Sequence, residues 1–262
     1  MTTKNKIELT ETIKKVKIDA FGNKSNKSGI LGHLETLLKS FKLIAYLGVI
    51  FPIAFAYVVC MGISLLPFFY TLKHFIITPL DWGSFLPWFS VAFALGGSFL
   101  AFTLILILIV PVFNAPLLFL VKPSRDSAYS LNTIAWMYHN SLTYLVRYTI
   151  LDFIVPSPIG NMFFKLMGMK IGKNVILNTS NISDPCLITL EDYVTIGGSA
   201  SIMAHYGMKG FLIIDKVIIK KGATIGLKSS IMGDVVIGEK ATVTPHAIVL
   251  PKTRIADNEV VK

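Results

Sequence analysis

Ile219-Lys220-Lys221-Gly222-Ala223-Thr224-Ile225-Gly226-Leu227-Lys228-Ser229-Ser230 opens on an isoleucine and repeats it six residues later. The beat continues through Ile231, Ile237, Val243, Val249 and Ile255 without a miss. Four residues after each aliphatic stands a small or β-branched side chain, Ala223, Ser229, Val235, Ala241, Ala247 and Thr253, until Glu259 breaks the series. A period of six matches neither a helix of 3.6 residues per turn nor a flat strand of period two. It suits a coil of short strands joined by tight corners, each coil stacking on the last. Glycine follows the aliphatic in Ile171-Gly172, Ile196-Gly197, Ile225-Gly226 and Ile237-Gly238, where a corner favours a residue without Cβ.

The segments Ile171-Gly172-Lys173-Asn174-Val175, Ile196-Gly197-Gly198-Ser199-Ala200, Ile225-Gly226-Leu227-Lys228-Ser229 and Ile237-Gly238-Glu239-Lys240-Ala241 resemble the hexapeptide-repeat transferases. The resemblance implies a left-handed parallel β-helix with three hexads to a coil, assembled as a trimer. The hand comes from the resemblance alone, since parallel crossovers are ordinarily right-handed. It covers roughly the last third of the chain closely and is stronger for fold than for chemistry, because one coil serves several activities.

The rest of the chain is of another kind. Of its 262 residues 53% are hydrophobic and 15% charged, with a mean hydropathy of +0.64, too apolar for a soluble protein of this size. Leu43 to Tyr70 and Trp82 to Val121 carry no charge, and roughly 20 such residues cross a bilayer as a helix. The expected crossings lie near Leu43 to Leu66 and Trp88 to Val110, with Lys73, His74 and Asp81 in the turn between them and Tyr70, Trp82 and Trp88 at one interface. Pro52, Pro67, Pro111 and Pro116 are expected to kink or end these helices. Lysines crowd the segment before the first crossing, Lys122, Arg125 and Arg147 follow the second, and the turn offers one lysine. The basic ends therefore face the cytoplasm, giving an integral protein of a bacterial cytoplasmic membrane with its coil inside. The hydrophobic run begins only after some forty polar residues, which does not fit a cleavable signal. Cys60 in a membrane run and Cys186 in the coil are not placed to pair.

Leu131, Ile134, Ala135, Tyr138, Leu142, Leu145, Val146, Thr149, Ile150 and Phe153 recur at helical spacing, which predicts an amphipathic interfacial helix stopped by Pro156-Ser157-Pro158. Arg147, His139, Asn132 and Asn140 count against a third crossing. Residues 1–42 thus form a basic cytoplasmic segment, 43–121 two transmembrane helices, 122–158 the interfacial helix and linker, and 159–262 the β-helix.

The hexad frame holds through Leu190, Ile196 and Ile202 and resumes at Ile219, seventeen residues on. The insertion, Ala204-His205-Tyr206-Gly207-Met208-Lys209-Gly210-Phe211, is where chemistry is to be sought. In the acyltransferases this chain resembles, a histidine in or beside such a loop is the general base that deprotonates the acceptor hydroxyl or amine. Imidazole suits the task because it takes and releases a proton near neutrality. The resemblance therefore assigns His205 as catalytic, with acyl-CoA or acetyl-CoA as cosubstrate, its pantetheine arm passing Gly226 and its phosphates met by Lys228, Lys252 and Arg254. Asp184 and Asp192 either orient His205 or sit at solvent-facing corners. His246 falls in the solvated column of Lys228, Asp234, Lys240 and Lys252, and His139 and His33 read as structural or interfacial.

Other classes fit less well. Two separated histidines and one cysteine in the coil do not make a zinc site, and no phosphate-cradling loop precedes the coil. No metal is expected. The formal charge of +10 comes without an aromatic ladder or base-reading motif, so lipid headgroups are the expected partner of the lysines and nucleic acid is not. No charge inside either crossing points to transport. The layout resembles bacterial transferases in which membrane helices precede a hexapeptide coil, such as the carboxy-terminal part of peptide-synthetase-like proteins and polysaccharide acetyltransferases. Pro156-Ser157-Pro158, Lys170-Ile171-Gly172, Ser183-Asp184-Pro185 and Ala204-His205 carry that likeness. The expected function is acyl transfer to a hydrophobic, lipid-linked or glycan acceptor. The alternative is a non-catalytic trimeric scaffold for a membrane-bound enzyme.

Overall fold

A computed structural model describes residues 22–25, 28–77, 83–127 and 130–262. Most lysines of the amino-terminal segment, together with Asp81 and Trp82, lie outside the described residues. From Lys170 onward the chain is a parallel β-helix built as three sheets, two of five strands and one of four. The aliphatic column seen in sequence is the inner wall of this coil. On the first face Ile171, Leu190, Ile219, Ile237 and Ile255 stand in register, on the second Leu177, Ile196, Ile225, Val243 and Val261, and on the third Ile182, Ile202, Ile231 and Val249. Ala223, Ser229, Val235, Ala241 and Ala247 are buried beneath them, so both residue classes of the hexad face inward. Each fully buried Ile or Val contributes about 1.5–3 kcal/mol of transfer free energy, which makes the repeated column the main stabilising element of the coil.

The corners have a period of their own. Gly222, Lys228, Asp234, Lys240, His246, Lys252 and Asn258 all take positive φ, one every sixth residue, and this is the conformation a three-sided coil requires at each bend. His246 is exposed at one of these bends. The glycine that follows the aliphatic serves a different need. A Cβ on Gly226 would lie 2.4 Å from the backbone nitrogen of Pro245 in the next coil, so the stacking itself excludes a side chain there. Gly226→Ala is expected to destabilise the coil by about 1–3 kcal/mol through overpacking against backbone, read as a lowered Tm in detergent; an unchanged Tm would contradict this account of the stacking.

The frame breaks where the sequence placed the break. Leu190 pairs with Ile219, a step of 29 positions, whereas Ile219 pairs with Ile237, a step of 18. The extra residues form an antiparallel hairpin, His205–Met208 (β2) against Phe211–Ile214 (β3), which turns at Lys209-Gly210, both at positive φ. Its base is closed by the Asp215 N–H donating to the Ala204 carbonyl at 2.8 Å. A third strand, Ser124–Ser127 (β1), pairs antiparallel with β3, and the Arg125 guanidinium sits over the Phe211 ring. The residues just after the long helices are thereby stitched to the insertion.

Before the coil come helices α1 (Gly29–Ser40), α2 (Lys42–Ile77), α3 (Phe85–Leu118), α4 (Leu131–Val146) and α5 (Pro158–Leu166). The two expected crossings fall inside α2 and α3, which are longer than predicted at 36 and 34 residues, or roughly 50 Å each at 1.5 Å per residue. Both are long and apolar enough to cross a membrane. The four prolines lie inside these helices and end neither of them. Helix α2 packs along α3, with Thr71 Oγ1 and Ser98 Oγ hydrogen-bonded at 2.7 Å across the pair. Lys73 and His74, expected in the turn, belong to the end of α2. The outer faces carry exposed Phe51, Phe55, Val58, Phe69, Phe93, Leu100 and Leu104.

Helix α4 forms where the spacing predicts it, capped by Ser130, whose Oγ accepts from the Thr133 N–H, and it continues through a π-helical turn at Arg147–Leu151. Its surroundings differ from a simple amphipathic pattern. It packs on α2 and α3 on one side and on the coil on the other, so Thr133, His139, Asn140 and Thr143 are buried along with the apolar stripe. After Pro156, Ser157 caps α5 by accepting from the Gly160 N–H, with Pro158 at the first helical position. Gly168, at φ +97, then turns the chain into the first coil.

Candidate active site

The first coil has its own irregularity, and the site is built on it. Between Ile182 and Leu190, which belong to successive faces, the chain spends eight positions instead of six. The surplus forms a 3-10 turn, Pro185–Leu187, entered through Asp184 in the left-handed conformation at φ 61 and ψ 51. Aspartate tolerates this region better than most residues because its short polar side chain bonds locally. The turn is locked by the Leu187 N–H donating to the Asp184 carbonyl at 3.0 Å. Its effect is to aim a fully buried carboxyl group along the corner toward the second coil.

Three N–H groups converge on that carboxylate. His205 Nδ1 lies 2.6 Å from Oδ2, the Ala204 backbone N–H donates to the same oxygen at 3.0 Å, and the Trp136 indole N–H donates to Oδ1 at 2.6 Å. Two of these donors cannot accept, so the set matches an ionised carboxylate acting purely as acceptor. With Nδ1–H committed to Asp184, the neutral imidazole carries its lone pair on Nε2. The His205 side chain keeps 21% of its surface exposed while Asp184 keeps none. A polarising group hidden from water and a partly open base in front of it form the layout of a proton-transferring pair.

Two titratable groups that sense Asp184 are themselves neutral at physiological pH. His139, on the same helix as Trp136, is buried and bonds through Nδ1 to Asn114 Oδ1 at 2.9 Å. Desolvation pushes its pKa down to about 4, against the opposing pull of Asp184, so it is neutral at physiological pH. Burial, and secondarily Asp184, push the Cys186 thiol up to about 12, which keeps it protonated and unreactive. Gly233 lets the next coil approach closely behind the site, since a Cβ there would lie 2.9 Å from the Ala204 carbonyl carbon and 3.0 Å from the His205 nitrogen.

The remaining candidates are distributed over different edges of the coil. Asp192 lies at the corner between the first and second faces, where its Oδ1 accepts from the Lys173 N–H at 2.6 Å. It is a corner residue and does not meet His205. Gly226 and Lys228 occupy the corner between the second and third faces, and the space a Cβ would take at Gly226 is filled by the next coil. Lys252 lies on the corner between the third and first faces, the edge that also carries Asp184, His205 and Asp234. Arg254 follows it and is held by the Asp234 carboxylate. Among the described residues no three His, Cys, Asp or Glu side chains are grouped so as to hold a metal ion, and Cys60 and Cys186 are free thiols. Sequence reasoning did not find Trp136. The one available signal was the unusual Ser183-Asp184-Pro185 break in the hexad frame, which marks the acceptor of its bond.

No protein-family model matches the chain. Delta-poly-L-ornithine synthetase of Acinetobacter baumannii is 25% identical over 100 residues, which are 38% of this chain and 8% of that protein. The chain therefore spans only a small part of the curated relative it matches. Similar solved structures include a hexapeptide-repeat-containing acetyltransferase from Vibrio cholerae, with 14% identity over 48% of this chain and 85% of that one and a TM-score of 0.39. Serine acetyltransferase from Brucella abortus in complex with coenzyme A shows 10% identity, 47% and 52% coverage and a TM-score of 0.28. An N-acyltransferase from Bacillus cereus in complex with dTDP and 3-hydroxybutyryl-CoA shows 19% identity, 37% and 79% coverage and a TM-score of 0.27.

Proposed function

We propose that this protein is a membrane-anchored acyltransferase that moves an acyl group from acyl-CoA to a hydroxyl or amine of a lipid-linked or glycan acceptor, with His205 as general base. The observation that carries the reading is the 2.6 Å contact between His205 Nδ1 and the fully buried carboxylate of Asp184. In the step we infer, Nε2 takes the proton from the acceptor O–H or N–H as that atom attacks the thioester carbonyl carbon. Collapse of the tetrahedral intermediate breaks the carbon–sulfur bond, and the imidazolium returns its proton to the departing thiolate, giving free CoA and the acylated acceptor. Asp184 keeps Nδ1 protonated and offsets the charge on the imidazolium.

In one chain the edge carrying Lys228 and the edge carrying His205 are different sides of the triangle. In the homotrimer we propose, a neighbouring copy lays its Lys228 edge against the His205 edge and so sets one lysine beside the base, with the sites between subunits. Lys228 and Lys252 are exposed at their corners and are assigned to the CoA phosphates. Arg254 is already neutralised by Asp234 and contributes less. The apolar outer faces of α2 and α3 support a bilayer location, and the basic flanks support a cytoplasmic side for the coil. Because α4 packs on α2 and α3 and bonds to Asp184, His205 lies against the helical layer, which supports an acceptor held in the membrane.

The test uses membranes containing the protein and labelled acetyl-CoA or longer acyl-CoAs. Label is expected to pass to a lipid or glycan retained in the membrane fraction. Lys228→Ala and Lys252→Ala should each raise KM for acyl-CoA up to about fivefold, the scale of one exposed charge contact, with kcat kept. No transfer from any acyl-CoA would overturn the proposal.

A further inference from the structure

We infer that Trp136 is a positioning residue of the active site, so that the helical layer supplies part of the proton-transfer machinery and is more than an anchor. The inference rests on the His205–Asp184 reading and extends it to a side chain on another element. Trp136 stands on α4, 48 positions before Asp184, and its indole N–H donates to Oδ1 at 2.6 Å. The same ring meets the His205 imidazole edge-on, with centroids 4.8 Å apart and planes at 66°. One side chain therefore touches both members of the pair. The N–H fixes the rotation of the carboxylate about its Cβ–Cγ bond, which decides whether Oδ2 points at Nδ1. The indole ring limits the swing of the imidazole, which decides where Nε2 presents its lone pair.

A tryptophan that merely filled space would not need its N–H satisfied by the same carboxylate that holds the base. The helix is also tied to this corner at other points, with Tyr144 Oη and Ser183 Oγ at 3.0 Å and the Arg147 guanidinium on Asn181 Oδ1. Trp136 is thus presented from a docked surface and not from a free helix. The titratable groups that sense Asp184 are His139 on α4 and Cys186 on the 3-10 turn. Tyr206, beside His205, has its hydroxyl pushed up by desolvation first and by Asp234 and Asp215 after that. All three stay neutral across the working range, so a change in the acid limb of the rate profile reports on the pair itself.

The experiment replaces Trp136 in the full-length protein with Phe and, to keep the ring shape, with a benzothiophene isostere in which sulfur stands for the indole N–H. In the isostere kcat should fall about 10- to 100-fold, the usual cost of losing a partner that orients a functional group, with KM for acyl-CoA unchanged. Freed of one donor, Asp184 holds the imidazolium more tightly, so the acid limb of kcat/KM should move to higher pH by about one unit. An isostere with wild-type kcat and an unmoved acid limb would overturn the inference while leaving His205 intact as base. The parallel His205→Ala variant separates the two claims: if it transfers at the wild-type rate, the underlying reading fails as well.

Discussion

His205→Ala is expected to lower kcat for acyl transfer by about 10²- to 10⁴-fold, the range that a positioned general base supplies. KM for acyl-CoA should barely move, because the imidazole meets the acceptor proton and not the CoA phosphates. The side chain is a partly exposed member of the corner, and the inner column from Ile171 to Ile255 does not depend on it. Membrane insertion, oligomeric state and Tm should therefore stay as in the wild type. The outcome separates an enzyme from a scaffold. A variant that assembled normally and still transferred at full rate would remove His205 from the mechanism, and a wild type without any transfer would favour a coil whose task is to hold a partner enzyme at the membrane.

The second large effect belongs to Asp184, where activity and stability should fall together. Asp184→Asn replaces an acceptor of three N–H bonds by a group with one oxygen and one NH2. Whichever way the amide is turned, its NH2 faces either the Trp136 indole N–H or the pair formed by the Ala204 N–H and His205. If it faces His205, the ring answers by accepting at Nδ1 and carrying its proton on Nε2, which removes the base. A wrong tautomer of this kind costs about 10⁴ in kcat. If it faces the indole, a buried donor is left unpaired, at about 1–3 kcal/mol. Steady-state kinetics and thermal unfolding in detergent check the two halves, and nitrogen NMR of His205 reads the tautomer directly. Wild-type kinetics in Asp184→Asn would show that the carboxylate does not tune the histidine.

The hexad count located the insertion without showing what its residues meet. A slip in a period is one-dimensional, so the excursion after Ile202 was visible in the string, and His205 with it. The slip between Ile182 and Leu190 was just as countable, yet its meaning depends on where a left-handed aspartate aims its carboxyl. Asp184 and Asp192 looked equivalent for that reason. The structure assigns them to different corners, one facing His205 and the other capping Lys173. At Gly226, where the sequence reading expects the cosubstrate arm to pass, the stacked backbone of Thr244 and Pro245 by itself requires a residue without Cβ.

Helix α4 shows a different limit. Its apolar spacing is legible, but the spacing alone does not show that Thr133, Asn140 and Thr143, off the apolar stripe, and His139, expected as structural or interfacial, are all buried. Their burial follows from partners on more than one side: His139 bonds to Asn114 on α3 and Thr133 to the Ser127 carbonyl, while Trp136 and Tyr144 of the same helix dock on the coil. Hydrophobic periodicity reports that one face is apolar; it cannot report that the polar face has also found partners.

By itself the sequence determined the elements that repeat or run long: a coil, because an aliphatic at every sixth position can be buried only by stacking, and two long apolar helices, because the uncharged runs Leu43 to Tyr70 and Trp82 to Val121 are long enough to form them. The tertiary structure decided which distant residues meet. Asp184 reached His205 through a two-residue irregularity, Trp136 joined them from a separate helix, and β1 was paired with the insertion hairpin. The physical reason is that periodicity encodes contacts between equivalent positions of one repeat. A hydrogen bond between a helix and a corner depends on docking angles that no local pattern carries.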